Sequence, residues 1–126
     1  DVFMVPHSRH TTVLRKDIQK VPALRILSSS KDAGVHVIST KNGKQIFVTG
    51  HSEYDSDTLL KEYLRDKEQG LDIKIPENYF IENDEEQNPL VTWKGHANLF
   101  FSNWLNYYVY QTTPYDLKNI QVKNLE

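Results

Sequence analysis

A chain of 126 residues is enough for one domain and buries about two-thirds of the surface its unfolded form exposes, with no need of disulfides or metals. Its composition, 38% apolar and 25% charged, excludes disorder and fibrous repeats, and 15 basic against 17 acidic residues give a net charge of -2 that offers nucleic acid no general attraction. Short apolar runs such as Leu99, Phe100 and Phe101 exclude a membrane-spanning helix, which needs about 20 such residues, and the absence of cysteine removes disulfides, thiolate metal sites and any thiol nucleophile of its own. With Asp at position 1 and no basic-then-apolar leader, a removed start or a piece of a longer protein is expected, with the cytoplasm as the default location.

Val2 to Val5, ended by Pro6, reads as the close of a strand. Val13 to Lys20 reads as a short helix stopped before Pro22, and Leu24 to Leu27 as a weak strand. Val35 to Thr40, Asn42-Gly43 and Lys44 to Thr49 predict a β-hairpin, because Asn-Gly supplies the positive φ that a tight turn requires. Three consecutive apolar residues, Ile46, Phe47 and Val48, predict that its second strand is internal and covered on both faces.

A helix is predicted from Ser56 or Asp57 to about Gln69, with a Leu59, Leu60, Tyr63 and Leu64 stripe and Gly70 as its left-handed C-terminal residue. Residues 71 to 91, with Pro76, Pro89 and an acidic run, read as a surface loop. Trp93 to Gln111 reads as a second long helix. Eight of the chain's fourteen aromatic residues lie between positions 93 and 115 and face nearly every direction, so cover by more than one neighbour is expected, as core or as subunit interface.

Two constellations carry chemistry. In His51-x-Glu53, just past a strand and Gly50, the two side chains can project the same way, so that a carboxylate fixes the tautomer of an imidazole and stabilises its protonated form. The spacing alone does not separate this from an ordinary exposed loop pair, since His-x-Glu is common by chance. Glu62 and Arg65, three apart on the predicted helix, suit the two charges of an α-amino acid, guanidinium to carboxylate and carboxylate to ammonium. They fit as well a solvent-exposed helical ion pair. His7, His10, His36 and His96 show no zinc spacing, and no metal is expected.

Val5-Pro6-His7-Ser8-Arg9-His10-Thr11, Phe47 to Asp55 (FVTGHSEYD), Thr58-Leu59 with Glu62-Tyr63 and Arg65-Asp66, Ile75 to Phe80 (IPENYF) and Phe101 to Gln111 (FSNWLNYYVYQ) together resemble the C-terminal part of the homoserine O-acyltransferases of methionine biosynthesis. The resemblance runs from about Phe3 to Leu117. It implies a flavodoxin-like α/β sandwich related to class I glutamine amidotransferases, of which residues 1–117 supply the C-terminal half and 118–126 a loosely held tail. It implies His51 as catalytic base, Glu53 as its partner, Arg65 on the homoserine carboxylate, and Ser8 and Glu62 at the substrate site.

The family passes an acetyl or succinyl group from acyl-CoA, through a cysteine, to the γ-hydroxyl of L-homoserine, with no bound cofactor and with acyl-CoA as co-substrate. That cysteine and a substrate-binding lysine belong to the family's N-terminal half, so the resemblance implies a chain inactive alone, acetyl being favoured over succinyl. The expected partners are L-homoserine, acetyl-CoA or succinyl-CoA, the N-terminal half of the same enzyme and a second copy in a homodimer, with neither nucleic acid nor membrane. Two alternatives stand beside it. One is a Ser-His-Glu hydrolase using Ser8, Ser52 or another serine, although no Gly-x-Ser-x-Gly elbow is present. The other is a non-catalytic interaction module built on the aromatic helix.

Overall fold

A computed structural model describes residues 2–114. The order of elements is α1 (Arg15–Ile18), β1 (Leu24–Ser29), β2 (Val35–Thr40), β3 (Ile46–Val48), α2 (Thr58–Glu68), a 3-10 turn at Ile81–Asn83, and α3 (Lys94–Trp104), which runs on through a π-helical turn (Leu105–Val109) into α4 (Tyr110–Thr112). This is a small α/β unit whose three strands pair antiparallel in the order β1-β2-β3.

The hairpin stands where Asn42-Gly43 predicts it, with Gly43 left-handed at φ 73°. Asn42 keeps an ordinary φ, so the connection is a longer loop in which Gly43 N–H donates to Thr40 O (2.9 Å) and Thr40 N–H to Gln45 O (2.9 Å). The central strand is β2, buried from Val35 to Ser39, and β1 alternates half-buried with exposed residues along its length.

Two expectations about the sheet fail. Val2 to Val5 forms no strand among the described residues. The second hairpin strand, β3, is an edge strand among the described residues and not an internal one, with Phe47 47% exposed and Val48 similarly open. Its apolar run marks a surface that is uncovered among the described residues.

The predicted central helix forms as α2, and Gly70 takes the left-handed conformation at φ 72° that closes it. Leu59 and Tyr63 of its stripe are buried, Leu60 is half-buried and Leu64 is exposed. Asp57 gives no side-chain cap. Instead the Tyr79 hydroxyl accepts from Leu60 N–H (3.1 Å) and donates to Ser56 O (2.7 Å), satisfying one of the orphan donors of the first turn.

Residues 71–91 are irregular as expected, yet more than surface. Phe80 is 1% exposed and joins Leu59, Tyr63, Tyr79 and Trp93 in the larger core, while a second core gathers Ile18, Val35 and Ile38. Burying one such aromatic side chain stabilises by about 1.5–3 kcal/mol. Glu85 pins the loop to α2, accepting from the Tyr63 hydroxyl (2.5 Å) and from Lys67 Nζ (2.8 Å).

The aromatic helix forms over most of its predicted length, but its sides are not covered. Leu99, Phe101, Trp104, Tyr107 and Tyr110 are all exposed among the described residues. It is therefore not core here. The predicted tail at 118–126 lies outside the described residues, and among those that are described no helix is long and apolar enough to cross a membrane.

Candidate functional site

The site is assembled where the chain leaves β3. Thr49 prolongs the ladder, its N–H donating to His36 O (2.9 Å), and its hydroxyl donates to Val35 O (2.7 Å) while accepting from Arg9 Nη1 (2.7 Å). Arg9 also donates to Ala33 O, so one guanidinium clamps the N-terminal segment against the β1–β2 loop. Gly50 follows, and it is glycine for lack of space: a Cβ there would lie 2.8 Å from Val5 Cγ1 and 2.9 Å from the His36 ring. His51 N–H then donates to Pro6 O (2.8 Å), which brings His7 and Ser8 alongside.

A turn carries His51, Glu53 and Tyr54. Tyr54 N–H donates to His51 O (3.3 Å), and the Trp93 indole N–H donates to Tyr54 O (3.1 Å). Within this turn His51 Nδ1 and Glu53 Oε1 stand 2.8 Å apart. Burial works to raise the Glu53 pKa, but the hydrogen bond from His51, its own backbone N–H and the imidazole charge together bring it below the usual carboxylate range. Glu53 is ionised at neutral pH and has no proton to give, so Nδ1 carries the hydrogen and Nε2 is left with a free lone pair. Such an imidazole can accept a proton at Nε2 and be stabilised by the carboxylate as it does so.

Tyr54 lies flat on the same imidazole, the ring centroids 4.3 Å apart and the planes 15° from parallel. Its hydroxyl donates to Glu62 Oε1 (2.8 Å). Burial, followed by the Glu62 carboxylate, pushes the phenol up to about 12, with the nearby Ser8 side chain acting in the opposite direction, so the hydroxyl keeps its proton and remains a donor. The other carboxylate oxygen, Glu62 Oε2, is buried without a hydrogen-bond partner among the described residues. Tyr54 therefore joins Ser8 and Glu62 to the His51–Glu53 pair. Spacing does not reveal this, because the stack depends on the turn at 51–54.

Arg65 is not paired with Glu62. Its Nε donates to Asp66 Oδ1 (2.7 Å) and its side chain is 56% exposed. The Asp66 hydrogen bond and charge raise its pKa, with Glu62 and Tyr54 also near enough to favour the cation. The guanidinium thus stands at the rim of the site, open to solvent and available to an incoming carboxylate.

Behind His51 stand two further imidazoles that spacing did not single out. The His7 and His36 rings meet edge to face at 5.3 Å, and Arg9 Nη1 lies 3.1 Å from His7 Nδ1. Burial, then the charges of Arg9, His36 and His51, lower His7 to about 4. Burial and Arg9 lower His36 as well, which is 5% exposed and has no partner on either ring nitrogen among the described residues. Both are neutral at pH 7, and both line a cleft of about 820 Å³ that also meets Phe3, Ile26, Leu59 and Trp93.

Comparison with known proteins adds a family. A family model described as homoserine O-succinyltransferase matches residues 1–115. The chain is 63% identical over 117 residues to a homoserine O-acetyltransferase of Clostridium acetobutylicum, covering 93% of this chain and 39% of that protein. It is 62% identical over 117 residues to one of Brevibacillus brevis, covering 93% and 38%, and 58% identical over 121 residues to one of Bacteroides thetaiotaomicron, covering 96% and 40%. It therefore spans about two-fifths of the length of the curated relatives it matches.

Proposed function

The chain belongs to the homoserine O-succinyltransferase family, and from that membership we propose that residues 1–117 form the C-terminal part of a cytoplasmic homoserine O-acyltransferase with the flavodoxin-like, class I glutamine amidotransferase-like sandwich. In this reading the rest of the enzyme supplies a cysteine, which is acylated by acyl-CoA and then gives up its acyl group to the γ-hydroxyl of L-homoserine. The names of the relatives favour acetyl over succinyl as the group transferred.

The observation that carries the proposal is the 2.8 Å contact of His51 with Glu53. An alcohol is a poor nucleophile, so its proton must leave as it attacks. His51 Nε2 takes that proton while the γ-oxygen bonds to the thioester carbonyl carbon; the tetrahedral intermediate then expels the thiolate, which recovers the proton from the imidazolium. General-base assistance of this kind contributes about 10² to 10⁴ in rate. Splitting the reaction at a thioester lets CoA depart before the alcohol binds. Arg65 takes the homoserine carboxylate, Glu62 Oε2 its ammonium, and Ser8 closes the site beside Tyr54. The unpartnered, buried Oε2 supports the ammonium assignment, since a carboxylate oxygen left without a donor is costly.

The edge strand supports the incompleteness of the chain. Phe47 and Val48 of β3, with Phe100, Phe101 and Trp104 of α3, line an open groove of about 810 Å³. We assign this surface to the N-terminal half of the enzyme, whose strands would continue the sheet, and carry the homodimer as a further association of the completed fold.

Mass spectrometry of the complete enzyme after mixing with acetyl-CoA tests the proposal. An acetyl group on a cysteine outside this chain is expected, discharged as O-acetylhomoserine when L-homoserine is added, while this chain alone acquires no label. Acylation of a serine within this chain, Ser8 or Ser52 among them, would instead select the hydrolase reading.

A further inference from the structure

One side chain touches both halves of the site. The Tyr54 ring is stacked on the His51 imidazole at 4.3 Å and 15°, and its hydroxyl donates to Glu62 at 2.8 Å. Its backbone is fixed from two sides, by the N–H donated to His51 O and by the Trp93 indole on its carbonyl. We propose that Tyr54 is a positioning residue that holds the base and the amino-acid clamp in one register, and thereby sets where the hydroxyl of the acceptor falls relative to Nε2. This rests on the acyltransferase reading above.

The physical reason lies in what the hydroxyl does to Glu62. A carboxylate on a helix can rotate about its last torsion, which is broad. The tyrosine proton occupies Oε1 and so turns Oε2 into the free acceptor, the oxygen that is buried without a partner among the described residues. An ammonium bound there stands at a fixed offset from the ring that carries the hydroxyl. The same ring face prevents the imidazole from tilting, while the Glu53 carboxylate prevents it from spinning. Orientation of this kind is needed for the acceptor oxygen to reach the acyl carbon in line. Tyr54 acts through Glu62 and His51 and takes no proton from the substrate.

Steady-state and pre-steady-state kinetics of the complete enzyme with acetyl-CoA and L-homoserine test this. Tyr54→Phe keeps the stack and removes the hydroxyl. It is expected to raise the homoserine KM about tenfold, as fits loss of a hydrogen bond to a charged group, and to slow transfer to homoserine, with the rate of enzyme acetylation by acetyl-CoA unchanged. Tyr54→Leu, which also removes the stack, is expected to lower the rate of transfer to homoserine further. Glu62→Gln leaves the stack intact and is expected to raise KM alike, and Tyr54→Phe placed on top of it should add nothing further.

An unchanged homoserine KM in either single variant, or a full additional rise in the double variant, would overturn the proposal. An equal fall in acetylation and transfer would do so too, since it would mark a merely structural role. If the unsubstituted enzyme forms neither O-acetylhomoserine from acetyl-CoA nor O-succinylhomoserine from succinyl-CoA, the acyltransferase reading falls and this inference with it.

Discussion

At the scale of the residue, the imidazoles differ in what each one faces. His51 meets a carboxylate, whereas His7 and His36 meet each other and the Arg9 guanidinium in a half-closed space. In the unfolded chain His7 binds a proton below pH 6.5, but in the folded chain only below about 4. Stability is therefore complete above pH 6.5 and is lost as the pH falls from there towards 4. His36 acts in the same direction, and Glu53, whose folded pKa is lowered, adds a loss below its ordinary value. Urea denaturation of the chain is expected to show a midpoint that falls through this window, with a shallower fall in His7→Asn; a midpoint that stays constant would contradict the assignment.

The His-x-Glu pair was legible in the sequence because two residues two apart need only a turn to meet. The Tyr54 stack was not, since it requires knowing which turn. The meeting of His7 with His36 was hidden by the 28 residues between them, a gap closed only when the N-terminal segment and the His36 ring meet at Gly50.

At the scale of the element, local chemistry was read well and cover was read poorly. Gly43 and Gly70 sit in the left-handed conformations that their turns require, and the hairpin and α2 follow. The apolar run of β3 and the all-round aromatic helix, by contrast, report the cover a segment needs, and the described residues do not supply it. Tyr79 and Phe80 escaped notice as core because a loop residue that packs singly leaves no period in the sequence. Tyr79 also does the work of a helix cap from outside the helix. Tyr79→Phe leaves Leu60 N–H and Ser56 O without their partner, which costs about 1–3 kcal/mol. Urea unfolding should show the midpoint lowered with the slope unchanged, and a loss below about 0.5 kcal/mol, the range of ordinary surface substitutions, would remove the capping role.

At the scale of the whole molecule, the described residues form an α/β unit whose sheet is open at β3 and whose aromatic flank is uncovered, in a chain spanning two-fifths of its relatives' length. Three of the five motifs that mark the family lie on the segments that build the site: residues 5–11, the stretch running into the turn after β3, and α2. That clustering made the family legible, whereas the larger sandwich cannot be read from a three-stranded antiparallel sheet and is argued from kinship. On the proposed acyltransferase reading the cysteine nucleophile belongs to the rest of the enzyme, since this chain has none, and this chain contributes the base and the acceptor clamp.

The most direct measurement is a single-turnover transfer on the complete enzyme, acetylated in advance and mixed with L-homoserine. With His51→Ala the expected rate of O-acetylhomoserine release is lower by about 10² or more, while the acetyl group stays on the enzyme. Release at a rate close to that of the unsubstituted protein would contradict the role given to His51.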